Sequence, residues 1–170
     1  MVVQSGLDIL LEDVSLTMKK ITRKRRNIMQ ILDAAKYVVY LSYSVKSRSL
    51  TLGKLQAILY LAQGWSYVWD DIPLFEEEFI AKESAPGIIN KTMLQYFKGY
   101  LRGLIEIPET YGCIPAMTED EKETLEIVWT TYSDKNVFQL GDMIKKQKIW
   151  EDGEKLNKEK IGEYFKKKYC

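Results

Sequence analysis

At 170 residues, 46% hydrophobic and 29% charged, the chain has the balance of an ordinary soluble domain and is long enough to bury a core. It contains no histidine, which removes Ser-His-Asp and Cys-His triads and His-based zinc sites and lowers the expectation of an enzyme. A net charge of +1 gives no global pull toward nucleic acid or anionic lipid.

The only cysteines, Cys113 and Cys170, stand in no metal-like spacing and give no disulfide framework, as expected of a reducing compartment. No segment approaches the roughly 20 apolar residues of a membrane span. The start, Met1-Val-Val-Gln-Ser-Gly, lacks the basic region and apolar core of a secretory signal, so the expectation is a cytoplasmic protein without cofactors.

Residues 1–26 read as an N-terminal extension, with Leu7, Ile9, Leu10, Leu11, Val14 and Leu16 ahead of a basic cluster, Lys19, Lys20, Arg23, Lys24, Arg25 and Arg26. Met18 is an alternative start. The cluster has no interleaved aromatics, which favours a solvated arm over a phosphate-binding one.

From Asn27, a plausible N-cap, the pattern is helical. Ile28, Ile31, Leu32, Ala35, Val38 and Val39 share one face, and the run ends at Ser42-Tyr43-Ser44. Thr51 opens a second helix, with Leu50 and Leu55 in the two positions of a hydrophobic staple. Leu55, Ile58, Leu59, Ala62 and Trp65 form its core stripe, and Asp70-Asp71-Ile72-Pro73 stops it.

Tyr60, Gln63 and Ser66 lie on another face, readable as a contact surface or as a solvated flank. Gly64, costly in mid-helix, implies close approach of another backbone. Trp69, Phe75 and Trp150 stand at element ends, where partial exposure is expected.

Phe79-Ile80-Ala81 is too short for a helix and reads as an extended segment or short strand. Ser84-Ala85-Pro86-Gly87 is a turn, with Pro86 suited to the first position of a helix carrying Ile88, Ile89, Met93, Leu94, Tyr96, Phe97 and Tyr100. Leu104-Ile105-Glu106-Ile107 is the expected second strand. Thr118 and Glu121 form a capping box before Leu125, Val128, Trp129 and Tyr132. A short helix carries Val137, Leu140 and Ile144, and a last one carries Ile161, Tyr164 and Phe165, with Leu156 and Ile161 spaced as a staple around Asn157. The sum is a mainly α fold: residues 27–170 as a single domain of about six helices, with room for a small two-stranded β element.

The stretch Leu52-Gly-Lys-Leu-Gln-Ala-Ile-Leu-Tyr-Leu-Ala-Gln-Gly-Trp65, followed by Pro73-Leu74-Phe75 and Ala81, resembles the signature of the SocA-like antitoxin family, the phage-associated Panacea domain. The resemblance extends over roughly residues 28–168, taking in Thr118 to Glu123, Tyr132 to Leu140, and Trp150. Three departures stand out. Ser66 replaces a frequent His, Ala85-Pro86-Gly87 replaces a Gly-Pro-Val turn, and Lys145-Lys146 replaces a Thr-His pair.

What the resemblance implies is a protein-binding antitoxin that neutralises a cognate toxin by contact, one member of the family acting as an adaptor for a Clp-type protease. Combined with the residues above, it makes Tyr60, Gln63, Ser66, Trp69, Phe75, Pro86 and Trp150 the candidate partner-binding set. The neighbouring acids, Asp70, Asp71 and Glu76 to Glu78, suit a basic surface better than a calcium loop. A nucleic-acid-binding regulator using the basic arm is the alternative reading.

Overall fold

The computed structural model describes residues 28–44, 49–106, 116–147 and 150–170. The extension 1–26 with its basic cluster, the Asn27 cap and Cys113 lie outside them. Among the described residues there are six α-helices: α1 (Ile31–Ser44), α2 (Leu52–Asp70), α3 (Lys91–Tyr96), α4 (Glu119–Tyr132), α5 (Val137–Lys145) and α6 (Lys158–Tyr169). Three short strands accompany them: β1 (Phe79–Ala81), β2 (Ile88–Ile89) and β3 (Lys155–Leu156). The fold is mainly α, as expected. No described helix is long and apolar enough to cross a membrane.

The central element is α2. The Thr51 hydroxyl accepts the Lys54 backbone N–H at 3.2 Å, and Asp71 closes the helix in the left-handed region with φ 56°. Leu50 and Leu55, the staple pair, are both buried. Leu55, Ala57, Ile58, Leu59, Tyr60 and Ala62 are wholly inaccessible and point around the full circumference, so α2 is enclosed rather than amphipathic.

Its neighbours can be placed from side chains. Lys54 at the start of α2 donates to the Ser133 carbonyl just past α4, whereas Trp69 at the other end shares a pocket with Asp120 in the first turn of α4. The two helices therefore run antiparallel. The Thr118–Glu121 capping box that begins α4 is complete in both directions.

Across α2 lies α6, seated on two glycines. A Cβ on Gly64 would fall 2.4 Å from the Phe165 ring, and one on Gly162 would fall 2.6 Å from the Tyr67 ring. The close neighbour of Gly64 is thus an aromatic ring and not the backbone that its mid-helix position suggested. Each helix offers a gap that a ring of the other fills, and burying Phe165 alone contributes roughly 2–3 kcal/mol.

The sheet departs most from expectation. It has three antiparallel strands in the order β2-β1-β3, with Ile80 opposite Ile89 on one side and Lys155 on the other. Ile88 and Ile89 belong to β2 and not to a helix starting at Pro86. Gly87, at φ 92°, turns the chain, and Lys82 N–H donates to its carbonyl at 2.9 Å, so the two residues after it complete a hairpin with β1. The helix begins only at Lys91, where the Asn90 side chain accepts the Met93 N–H at 2.9 Å. Leu104 is no strand of this sheet. It makes a single bridge to Thr51 and is exposed, while Ile105 turns inward.

One further correction concerns α1, which starts at Ile31. Ile28 is exposed rather than part of the apolar face, and Met29 bridges to Phe75 instead. The Ile31 N–H donates to the Glu77 carboxylate at 3.2 Å, so the acidic triplet supplies a cap from 46 residues away.

Candidate functional site

Of the seven candidate residues, two reach the surface. Trp69 is 43% exposed and Trp150 is half-buried. Tyr60, Gln63 and Ser66 do not form a contact face, because the loop after α2 and the segment after α5 fold over that side and bond to all three. Phe75, expected to be partly exposed, is wholly inaccessible among core rings, with Phe79 at 6.1 Å. Pro86 is buried too: its Cα would lie 3.3 Å from a Cβ on Gly141, so α5 rests directly on the turn.

A row of rings connects Trp150 to Trp69. Trp150 packs edge-on to Tyr60 at 5.8 Å, Tyr60 to Phe165 at 6.1 Å, and Phe165 to Trp65 at 6.0 Å. Trp65 then stacks on Trp69 at 5.1 Å and lies 4.6 Å from Tyr169, and its indole N–H donates to the Tyr132 hydroxyl at 3.0 Å. Trp69 and Tyr169 are each 43% exposed, so a rigid interior column ends in two rings facing solvent. Such rings present a large area with few rotatable bonds to lose.

The sequence reading missed Tyr169 and Ile127. Tyr169 follows Phe165 by four residues and so shares its helical face, a signal that was available. Ile127, 41% exposed, lies off the apolar stripe of α4 and gave none.

Charge divides around these rings. On one side Asp70, Asp120, Glu123, Thr124, Ile127 and Trp69 line a cavity of about 260 Å³. On the other, the Lys168 ammonium sits 5.7 Å from the Tyr164 ring centre and 5.3 Å from that of Tyr169. Hydrogen bonding to Tyr164 raises its pKa above the ordinary 10.5, and Lys166 is raised in the same way by its bond to Asp71. Both lysines are cations at neutral pH.

A second opening, about 480 Å³, lies by Trp150 among Lys82, Glu83, Lys145, Glu151 and Asp152. There Asp152 accepts the Glu83 N–H at 2.9 Å and ties two loops together. Among the described residues no group of three or more Cys, Asp and Glu stands where it could hold a metal ion.

A family model described as antitoxin SocA-like, Panacea domain, matches residues 55–151. The chain belongs to the SocA-like antitoxin family. Membership carries an antitoxin role in general terms, with a toxin as the kind of partner such domains meet. No curated protein and no solved structure is significantly similar to it.

Within this Panacea domain the polar motif residues turn out to be internal ties. Gln63 Nε2 donates to the Phe75 carbonyl at 2.7 Å, while its Oε1 accepts the N–H groups of Leu74 and Phe75 at 2.7 and 3.3 Å. Ser66, standing where a His is frequent, donates to the Ile72 carbonyl at 2.9 Å. Gln56 Oε1 accepts the Asn90 N–H at 2.7 Å, and the Tyr60 hydroxyl donates to Gln147 Oε1 at 2.5 Å. Burial pushes the Tyr60 pKa well above the ordinary 10.0, so it remains a neutral donor.

Each tie anchors one irregular segment to one turn of α2. In this chain the polar residues of the motif therefore set how the loops hang on the central helix.

Proposed function

We propose that this chain neutralises one cognate toxin in the cytoplasm by direct contact, without chemistry of its own, through the exposed rings of Trp69 and Tyr169. The observation that carries the reading is the Trp65–Trp69–Tyr169 cluster, two solvent-facing rings held on a packed aromatic column within an antitoxin-family domain. Tryptophan and tyrosine on rigid supports are the residues that most often dominate interface energetics. Tyr60, Gln63, Ser66, Phe75 and Pro86 act from beneath, by fixing the loops around that column, and Trp150 lies at its far end.

The test is co-expression with the product of the adjacent gene. That product alone should arrest growth, and the pair should grow and co-purify. Trp69→Ala should weaken the complex at least tenfold, about 1.4 kcal/mol, while leaving the fold intact. A harmless neighbour with no complex would end the antitoxin reading. Transfer of the toxin to a Clp-type protease is a further step of the same reading, and it predicts a shorter toxin half-life when the antitoxin is bound.

A further inference from the structure

The cavity beside Trp69 carries more information than an exposed ring alone. One wall is the Trp69 indole, braced by Trp65, which stacks on it with an interplanar angle of 20°. From α4, Ile127, 41% exposed, and the buried Thr124 line the same cavity. Asp120 and Glu123 also line it, both exposed on α4, and neither is in an ion pair with another described residue. The lysine between them, Lys122, is bound to Glu119 at 3.1 Å. At about 260 Å³ the cavity is smaller than the roughly 300–1,000 Å³ of cofactor pockets.

A cavity lined by an exposed indole and by two exposed carboxylates is complementary to one side chain above all. A guanidinium is planar, stacks on indole, and directs N–H groups outward in its own plane, where carboxylates can accept them. An ammonium has neither the plane nor the fixed fork.

We propose that this cavity is an arginine pocket, taking an arginine side chain from a basic segment of the partner protein while an apolar neighbour in that segment covers Ile127. The inference rests on the reading of the Trp69 surface as the toxin-binding face, and it adds the chemistry of what is bound. The occupant would be cationic and protein-borne, and not an acidic or purely apolar surface.

The experiment uses the full chain carrying 5-fluorotryptophan, with the Trp69 resonance assigned through Trp69→Phe. The probe is a capped peptide, acetyl-Ala-Arg-Leu-Ala-Arg-amide, against a control with Glu in place of each Arg. The expected result is a saturable shift of the Trp69 resonance with the arginine peptide only. Asp120→Asn/Glu123→Gln should weaken that binding by about fivefold, as expected for two partly exposed charge pairs, with the resonance of buried Trp129 unmoved as the sign of an intact fold.

An unmoved Trp69 resonance, an equal response to the Glu peptide, or indifference to the double substitution would overturn the proposal. So would a Trp69 shift that follows protein concentration alone, which would make a second copy the occupant. The two readings separate cleanly. A toxin complex indifferent to the double substitution removes the arginine pocket and keeps the antitoxin, whereas peptide binding without any toxin complex does the reverse.

Discussion

Gly64 and Gly162 face the Phe165 and Tyr67 rings across the α2–α6 contact, and a side chain on Gly64 has to displace a Phe165 ring that is itself packed on Tyr60 and Trp65. Gly64→Ala should therefore cost about 2–3 kcal/mol, as overpacking does in a filled core. It should be read as a lower urea midpoint at unchanged slope. Combining it with Phe165→Leu should cost less than the sum of the two, because the smaller side chain relieves the overlap.

Gln63→Ala acts through polarity instead. It leaves the Leu74 and Phe75 N–H groups and the Phe75 carbonyl without their partners, and the expected loss is about 3 kcal/mol. At this scale the sequence was half legible. A glycine in mid-helix announces a tight approach but not what approaches. The spacing of Tyr60, Gln63 and Ser66 by three announces a shared face but not what covers it. Reading that face as surface assumed that one side of α2 meets water there, and from Leu55 to Gly64 the helix is buried on all sides.

Helix starts were legible because each has a local chemical cause. Thr51, Thr118 with Glu121, and Asn157 all cap the helices that the sequence assigned to them. Thr118→Ala should lower stability by about 1 kcal/mol in thermal or urea unfolding without altering the fold, since one hydroxyl acceptor for the Glu121 N–H is lost. Of the strands only β1, Phe79–Ala81, was legible, and the other two were not, for the converse reason. Two or three residues such as Ile88-Ile89 or Lys155-Leu156 carry no period, and what makes them strands is their pairing with β1, in the latter case from about 75 residues away. The Glu77 cap on α1 is hidden in the same way, because its donor and acceptor are joined only by the fold.

For the molecule as a whole, pH provides a test of the packing. Burial is the leading cause that raises the pKa of Tyr37, Tyr60, Tyr67 and Tyr132 above the ordinary 10.0. Below about pH 9 these groups are protonated in both folded and unfolded chains and contribute no slope. Above 10 the unfolded chain releases protons that the folded one retains, so stability must fall as pH rises. With no histidine to titrate, the urea midpoint should be nearly flat from pH 6 to 8 and decline from about pH 10 upward. Tyrosinate absorbance should rise together with unfolding rather than before it. The class of fold and the family were legible from the helical stripes and the motif around α2. The exposed cluster was not, because it joins α2, α4 and α6, whose adjacency no stretch of sequence contains.

The seating of Phe165 on Gly64 also sets a clock. The two residues are about a hundred positions apart, and at 5–20 residues per second a ribosome needs roughly 5–20 s to pass from one to the other. Throughout that interval α2 is made but α6 is not, so the Gly64 side of the central helix lacks the ring that fills it. Each pause in translation lengthens that interval.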